Sequence, residues 1–159
     1  MKKVCIICDI DRVIVDSREW EKYIPSDPTD RDGWNKFLAH HGLAKPNKPM
    51  LNFVLILNKV FPILFVTGRE NYSNSRLITK KQIKEFTNGK ITVGPLNPNK
   101  LFMRELNDFR EPCKVKEDIL KEKILPYYQP ILAIDDNEGN IEMFKKYGIT
   151  TFHYKRLVE

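Results

Sequence analysis

The sequence predicts a doubly wound, three-layer α/β fold around a parallel sheet of about five strands. Short apolar runs rich in β-branched residues recur along the chain, without the polar alternation of a sheet that faces water on one side. Segments between them carry apolar residues at helical spacing, so strands and helices alternate and right-handed crossovers make the sheet parallel. The strongest apolar runs also end in acids or in Thr-Gly-Arg, the polar carboxyl ends at which such sheets place their ligands.

The elements follow in order. Val4 to Cys8 is a near-continuous apolar run and the first strand. Asp16 to Lys48 has a different texture, because Pro25, Asp27, Pro28, Asp30, Asp32 and Gly33 interrupt short helical pieces such as Trp34 to His41. It reads as a small helical insertion (about 16–48) above the first strand of a single domain, whose core is 1–15 and 49–159. Pro49 to Val60 follows Asn47 as its cap, and Pro62 to Val66 is the next strand. Ser73 to Phe86 places Leu77, Ile78, Ile83 and Phe86 at helical spacing. Asn88 to Arg110 is rich in loop residues, with Ile91 to Val93 a weaker strand candidate and Leu101 to Arg104 a short extended piece. Val115 to Tyr127 reads as helix, Ile131 to Ile134 as strand, Asn140 to Tyr147 as helix and Thr150 to His153 as a weaker last strand.

At 159 residues and 42% hydrophobic, the chain suits one domain with a real core. Lys plus Arg outnumber Asp plus Glu by 27 to 21, for a net charge of +6, which favours encounter with an anionic substrate, nucleic acid included. The surplus is spread from Lys80 to Arg156 without the dense run of a basic arm. The odd number of cysteines, with Cys5 and Cys8 in a buried strand and no zinc spacing, implies a reduced, cytoplasmic setting. Asp9 interrupts the apolar start before a signal peptide develops, and nothing approaches a membrane span, so a soluble protein without membrane contact is expected. No obligate protein partner is implied.

The chemistry sits at three strand ends: Asp9 and Asp11, then Thr67-Gly68-Arg69, then Asp135-Asp136. Acids gathered in an otherwise basic chain call for a cation, and an all-oxygen cluster selects a hard one such as Mg²⁺. An Asp nucleophile can attack a phosphorus held by such an ion, and a second Asp two residues on can protonate the leaving oxygen and then deprotonate water.

These stretches resemble a known family. ICDIDRVIVDS is similar to the first motif of the haloacid dehalogenase (HAD) superfamily, LFVTGRE to the second and ILAIDDNEGN to the fourth, in matching order and sheet position. The resemblance implies a Rossmann-like HAD fold, with Asp9 as nucleophile and metal ligand and Asp11 as general acid/base whose backbone carbonyl also meets the metal. It likewise implies Thr67 on the substrate phosphate with Gly68, and Asp135 and Asp136 as the acidic pair that holds Mg²⁺. The third motif is a single Lys. Lys116 is favoured over Lys114, because VKEDILKEKILPYYQPILAIDDNEGNIEMFKKYGI resembles the 3'-phosphatase domain of phage polynucleotide kinase, in which the second-motif Arg, here Arg69, also contacts phosphate.

Some positions depart from the pattern. Arg12 replaces the usual Gly after Asp11, and its side chain must either leave the pocket or reach in to a phosphate. Pro112 replaces an acid four residues before Lys116, and no Gly-x-x-x-x-Gly-Lys loop exists for a kinase half. Other features have ordinary readings beside functional ones. Asp16 and Ser17 read as helix caps, and Asn140 as a cap or a support for the acidic loop. His40, His41 and His153 read as surface or satisfied core groups, and Asp27, Asp30 and Asp32 as a solvated turn. Trp20, Tyr23, Trp34 and Phe37 are either the packing of a small cap or a stacking surface for a base.

The expected function is therefore Mg²⁺-dependent hydrolysis of a phosphomonoester, on a nucleic-acid 3'-phosphate or nucleotide. A small-metabolite phosphatase and a non-catalytic binding module are the rivals.

Overall fold

The computed structural model describes residues 1–155 apart from Ser73 and the side chain of Leu38. Ser73, the expected start of a helix, and Arg156, one of the dispersed cations, lie outside the described residues. The chain runs β1 (Lys3–Cys8), β2 (Val15–Asp16), a 3-10 helix (Arg18–Tyr23), α1 (Arg31–His41), β3 (Lys45–Pro46), α2 (Lys48–Asn58) and β4 (Ile63–Glu70). It continues with α3 (Ser75–Phe86), β5 (Lys100–Arg104), α4 (Pro112–Ile119), a π-helical turn (Leu120–Ile124), β6 (Tyr128–Asp135), α5 (Glu138–Lys146) and β7 (Thr150–His153).

Five strands form one sheet in the order β5-β4-β1-β6-β7, every pair parallel. The chain leaves β1 toward β4 on one side and later places β6 on the other, so the order reverses at β1 and opens a crevice at its carboxyl end. The continuous apolar run of β1 follows from burial on both faces. Ile6 and Cys8 pack with Ile63, Phe65, Leu101 and Met103 beneath Met50, Leu51 and Val54 of α2 and Ile83 of α3. Cys5 and Ile7 pack with Leu64, Val66 and Ala133 against Val115, Ile119, Met143 and Phe144 of α4 and α5. Each such side chain contributes about 1.5–3 kcal/mol of burial, and together they make the central strands a rigid base for the loops above them.

Between β1 and α2, Val15 pairs with Pro46 and Asp16 with Lys45 in a two-stranded antiparallel stem, which returns the intervening segment to its starting point. Within it, α1 begins at Arg31, earlier than Trp34, because Asp30 accepts a bond from the Gly33 amide at 2.9 Å. Asn47 precedes α2 as expected, but its side chain does not cap. Instead it donates to Val13 O at 2.7 Å and to the Tyr154 hydroxyl at 3.0 Å, pinning the loop after β1.

Other boundaries also differ from the sequence reading. Ile91 to Val93 is not a strand: Ile91 is a buried loop residue whose amide donates to Thr87 Oγ1 at 3.1 Å. The edge strand is β5, seated beside β4 by Asn99, whose Oδ1 accepts from the Ile63 amide at 2.7 Å and from Asn58 at 2.8 Å. The helix expected at Val115 to Tyr127 begins at Pro112, whose missing N–H is harmless in a first turn, and it stops short of Pro126, which cannot continue it. The helix expected from Asn140 begins at Glu138, because Asn137 is the cap and accepts from the Asn140 amide at 3.1 Å.

Candidate active site

Asp9 follows the last residue of β1, at the crevice, with its amide bonded to Ile134 O at 2.9 Å. Asp135 closes β6 on the neighbouring strand, so the sheet register alone brings these carboxylates together. Asp9, Asp135 and Asp136 each offer an oxygen within 4.8 Å of the others. Lys116, one turn into α4, reaches both buried acids, with Nζ 2.7 Å from Asp9 Oδ1 and 2.7 Å from Asp135 Oδ2. Lys114 is exposed and pairs loosely with Glu117 at 3.9 Å, so α4 turns Lys116 alone of the two candidates into the site.

The electrostatics follow from this packing. Burial pushes the Asp9 carboxyl well above the usual range; Lys116 opposes the shift, and Asp135 and Asp136 add to it. Burial disfavours the Lys116 ammonium, but Asp135 and Asp9 more than compensate and hold it charged. Asp136 is raised by burial and by Asp135, against Arg12 and Lys116. Three carboxylates share the ammonium of Lys116 and the more distant Arg12, a donor set of oxygens short of positive charge, which a hard divalent cation fits. Asp135 is further fixed by Asn140 Nδ2 and the Asn137 amide, both at 3.0 Å from Oδ1. His153 Nε2 donates to Asp136 O at 3.0 Å, a support for the acidic loop that the sequence reading did not assign.

Asp11 has a cation partner of its own. Arg69, at the end of β4, grips it with two bonds, Nε to Oδ2 at 2.8 Å and Nη2 to Oδ1 at 2.7 Å. Burial alone would raise the Asp11 carboxyl, but the charge and bonds of Arg69 outweigh it and leave the pKa below its ordinary value. Arg69 Nη1 is itself held by Thr79 at 3.0 Å and Gln82 at 2.7 Å, both on α3. Its side chain leaves one Nη2 hydrogen without a partner among the described residues. Thr67 is buried, its hydroxyl oxygen accepting the Arg69 amide at 3.1 Å, and Gly68 offers its carbonyl to Arg104 Nε at 2.9 Å.

Arg12 is held by neighbouring acids. Its backbone is left-handed, with φ at 62°, the conformation for which Gly is suited, and its guanidinium lies at the rim, clamped by both oxygens of Glu21 at 2.5 Å and by Asp136 at 3.5 Å.

Above these groups is a cavity of about 530 Å³. Asp9, Asp11, Thr67, Gly68, Arg69, Lys116 and Asp136 line its floor, and Ile24, Pro28, Trp34, Phe37 and His41 come from the segment between β2 and β3. The four aromatics of that segment divide: Trp34 and Phe37 wall the cavity, whereas Trp20 and Tyr23 stack with His40, at 5.0 and 4.2 Å between centroids. Phe109 and Arg104, absent from the sequence reading, face them from the loop after β5 and from its last residue. Arg104 was legible as one more polar strand end, had β5 been read as a strand of the sheet.

The family model for the polynucleotide kinase PNKP phosphatase domain matches residues 3–156. The chain belongs to the PNKP phosphatase domain family. This family domain is a HAD-type phosphatase, as the four motifs implied. No curated protein sequence matches the chain. Among solved structures, a chain of the Pnkp1/Rnl/Hen1 complex superposes with a TM-score of 0.71 at 18% identity, covering 96% of this chain and 46% of that one. This PNKP-type chain thus spans less than half the length of that relative. The HAD-hydrolase YfnB from Bacillus subtilis, in a magnesium-bound form, gives 0.59 at 13% identity, with coverage of 94% and 87%. A haloacid dehalogenase-like family protein from Streptococcus pneumoniae gives 0.58 at 12%, covering 96% and 84%. These likenesses agree with the five-stranded parallel sheet as a HAD-like hydrolase fold, and no helix among the described residues is long and apolar enough to cross a membrane.

Proposed function

We propose that this PNKP-type phosphatase removes a terminal phosphate from a nucleic-acid 3'-end or a nucleotide through an aspartyl-phosphate on Asp9, with Mg²⁺ as cofactor. The observation that carries the reading is that two carboxylates line one cavity, each paired with its own cation, Asp9 with Lys116 and Asp11 with Arg69. This pairing suits one acid to act as nucleophile and the other as acid/base, a division that binding alone does not need.

An Asp9 oxygen attacks the phosphorus while the bond to the leaving oxygen breaks, and that oxygen takes a proton from Asp11. Asp11 then removes a proton from water, whose oxygen attacks the phosphorus; the bond to Asp9 breaks and inorganic phosphate leaves. Arg69 holds the Asp11 pKa below its ordinary value, and an incoming anionic phosphate, which raises the pKa of an adjacent acid and competes for Arg69, prepares it as the donor. Thr67, Gly68, Arg69 and Lys116 surround the equatorial oxygens. Asp9, the Asp11 carbonyl, Asp135 and Asp136 would hold the cation. Bound there, Mg²⁺ neutralises charge on the phosphate and on the carboxylates around it. The segment 16–48 acts as a small cap that leaves the cleft open to a polymer end, and the net charge of +6 suits that substrate.

The test is phosphate release from a 3'-phosphorylated oligonucleotide, a nucleoside monophosphate panel and an aryl phosphate, with and without Mg²⁺, for wild type and Asp9→Asn. Mg²⁺-dependent turnover, best on the oligonucleotide and absent in the variant, is expected. Preference for a small metabolite would replace the substrate, and equal inertness of both proteins would remove the catalytic reading.

A further inference from the structure

Two residues that line the cavity each carry a buried polar atom with no hydrogen-bond partner among the described residues, Asn140 Oδ1 and His41 Nε2. Asn140 belongs to the cation side, since its amide nitrogen holds Asp135. His41 does not. Its residue is only 2% exposed, and leaving such a nitrogen unpaired carries a cost in stability. That cost is offset when a ligand supplies the missing partner.

The imidazole is held in place. Its ring packs edge-on against Phe37 at 4.2 Å between centroids, and its backbone carbonyl accepts a bond from Gln82 Nε2. The other end of the Gln82 amide accepts from Arg69 Nη1, and Arg69 grips Asp11. His41 is therefore tied to the acid that protonates the leaving oxygen. Such a site selects its ligand by charge. A phosphate oxygen calls for a cation, already provided by Lys116 and Arg69, whereas an imidazole not paired with any carboxylate suits a neutral hydroxyl, which can donate or accept and so satisfies either tautomer.

We propose that His41 Nε2 hydrogen-bonds the sugar hydroxyl vicinal to the leaving oxygen, so that the site selects an end whose terminal sugar is ribose over one that is 2'-deoxyribose. This rests on the phosphatase reading above and adds a specificity residue to it.

The experiment compares kcat/KM on two oligonucleotides that differ only in the terminal sugar, a ribonucleotide or a deoxyribonucleotide 3'-phosphate, with an aryl phosphate as a third substrate. Wild type is expected to favour the ribose end by about tenfold or more, since a site built around a hydroxyl discriminates against its absence. In His41→Leu the ratio falls toward one, and in His41→Gln, which keeps a hydrogen-bonding group, part of it returns. Thermal melts of both variants establish folding, and a merely structural role would lower turnover on both ends equally and leave the ratio unchanged. A wild-type ratio near one, or a ratio that His41→Leu does not move, would overturn the assignment. Aryl phosphate turnover with neither end cleaved would overturn the nucleic-acid reading itself, and this assignment with it.

Discussion

The Lys116 ammonium lies 2.7 Å from Asp9 and 2.7 Å from Asp135, and all three side chains are more than nine-tenths buried. The strands that carry the acids are neighbours in the sheet, so without Lys116 the register itself would force buried like charges together. Lys116→Met removes the cation and leaves its volume nearly filled. Urea unfolding without divalent cation is expected to show a loss of about 3 kcal/mol, because breaking a buried ion pair leaves its partner uncompensated. The loss should shrink as the pH falls and Asp9, already held above the usual carboxylate range, takes up a proton. A midpoint equal to wild type above about pH 8, where Asp9 is ionised, would mean that the triad contributes nothing to the fold.

Arg12 sets two local effects against each other. Its left-handed φ of 62° costs a side chain about 1 kcal/mol relative to Gly, whereas its half-exposed pairing with Glu21 contributes at most about that much. Arg12→Gly should therefore leave stability close to wild type, and Arg12→Ala, which loses the pairing but keeps the strain, should fall about 1 kcal/mol below Arg12→Gly. Melting the three proteins side by side reads this order directly. Equal stability of the Gly and Ala variants would contradict it.

His41 gives the fold a defined response to acid. Burial and the nearby Arg69 lower its pKa to about 4, and Asp11, the facing acid, opposes them only in part. The folded imidazole is thus neutral where the unfolded one, with an ordinary value of about 6.5, already binds a proton. Stability from this group is complete above about pH 6.5 and is lost as the pH falls to about 4, by up to about 3 kcal/mol. Stability of wild type relative to His41→Gln should decline across that window. A difference that stays flat from pH 7 to 4 would show that the folded imidazole titrates as the unfolded one does.

The sequence made the centre of the fold legible because burial on both faces leaves an unambiguous mark. The runs Val4 to Cys8 in β1, Ile63 to Val66 in β4 and Leu132 to Ile134 in β6 are apolar throughout, and each is followed by the groups that meet at the crevice. The edge strand β5 was harder, since its burial alternates and its position depends on Asn99 bonding to Ile63 and Asn58, contacts that no local pattern contains. Lys116 and Lys114 differ only in which side of α4 they occupy, and the choice between them rested on resemblance. His41, Gln82 and Thr79 were invisible as a group because they reach Asp11 through Arg69, across separations that periodicity cannot encode.

Arg69 offers the sharpest test of how the two sides of the cavity divide their work. Its guanidinium makes two bonds to Asp11 and two to α3, and a lysine can reproduce the charge but not this planar fork. If its main task is to position Asp11, Arg69→Lys should impair the step that needs a proton donor. A sugar alcohol is a poor leaving group and needs that proton, so turnover of a 3'-phosphorylated oligonucleotide should fall by about a hundredfold or more. An aryl phosphate with an acidic phenol leaves with little help, and its turnover should fall much less. The ratio of the two losses separates the roles, because a residue that simply binds the phosphate affects both substrates through the same group. Equal losses would therefore place Arg69 on the phosphate, and a loss confined to the oligonucleotide would place it behind Asp11, where its bonds in the empty cavity already hold it.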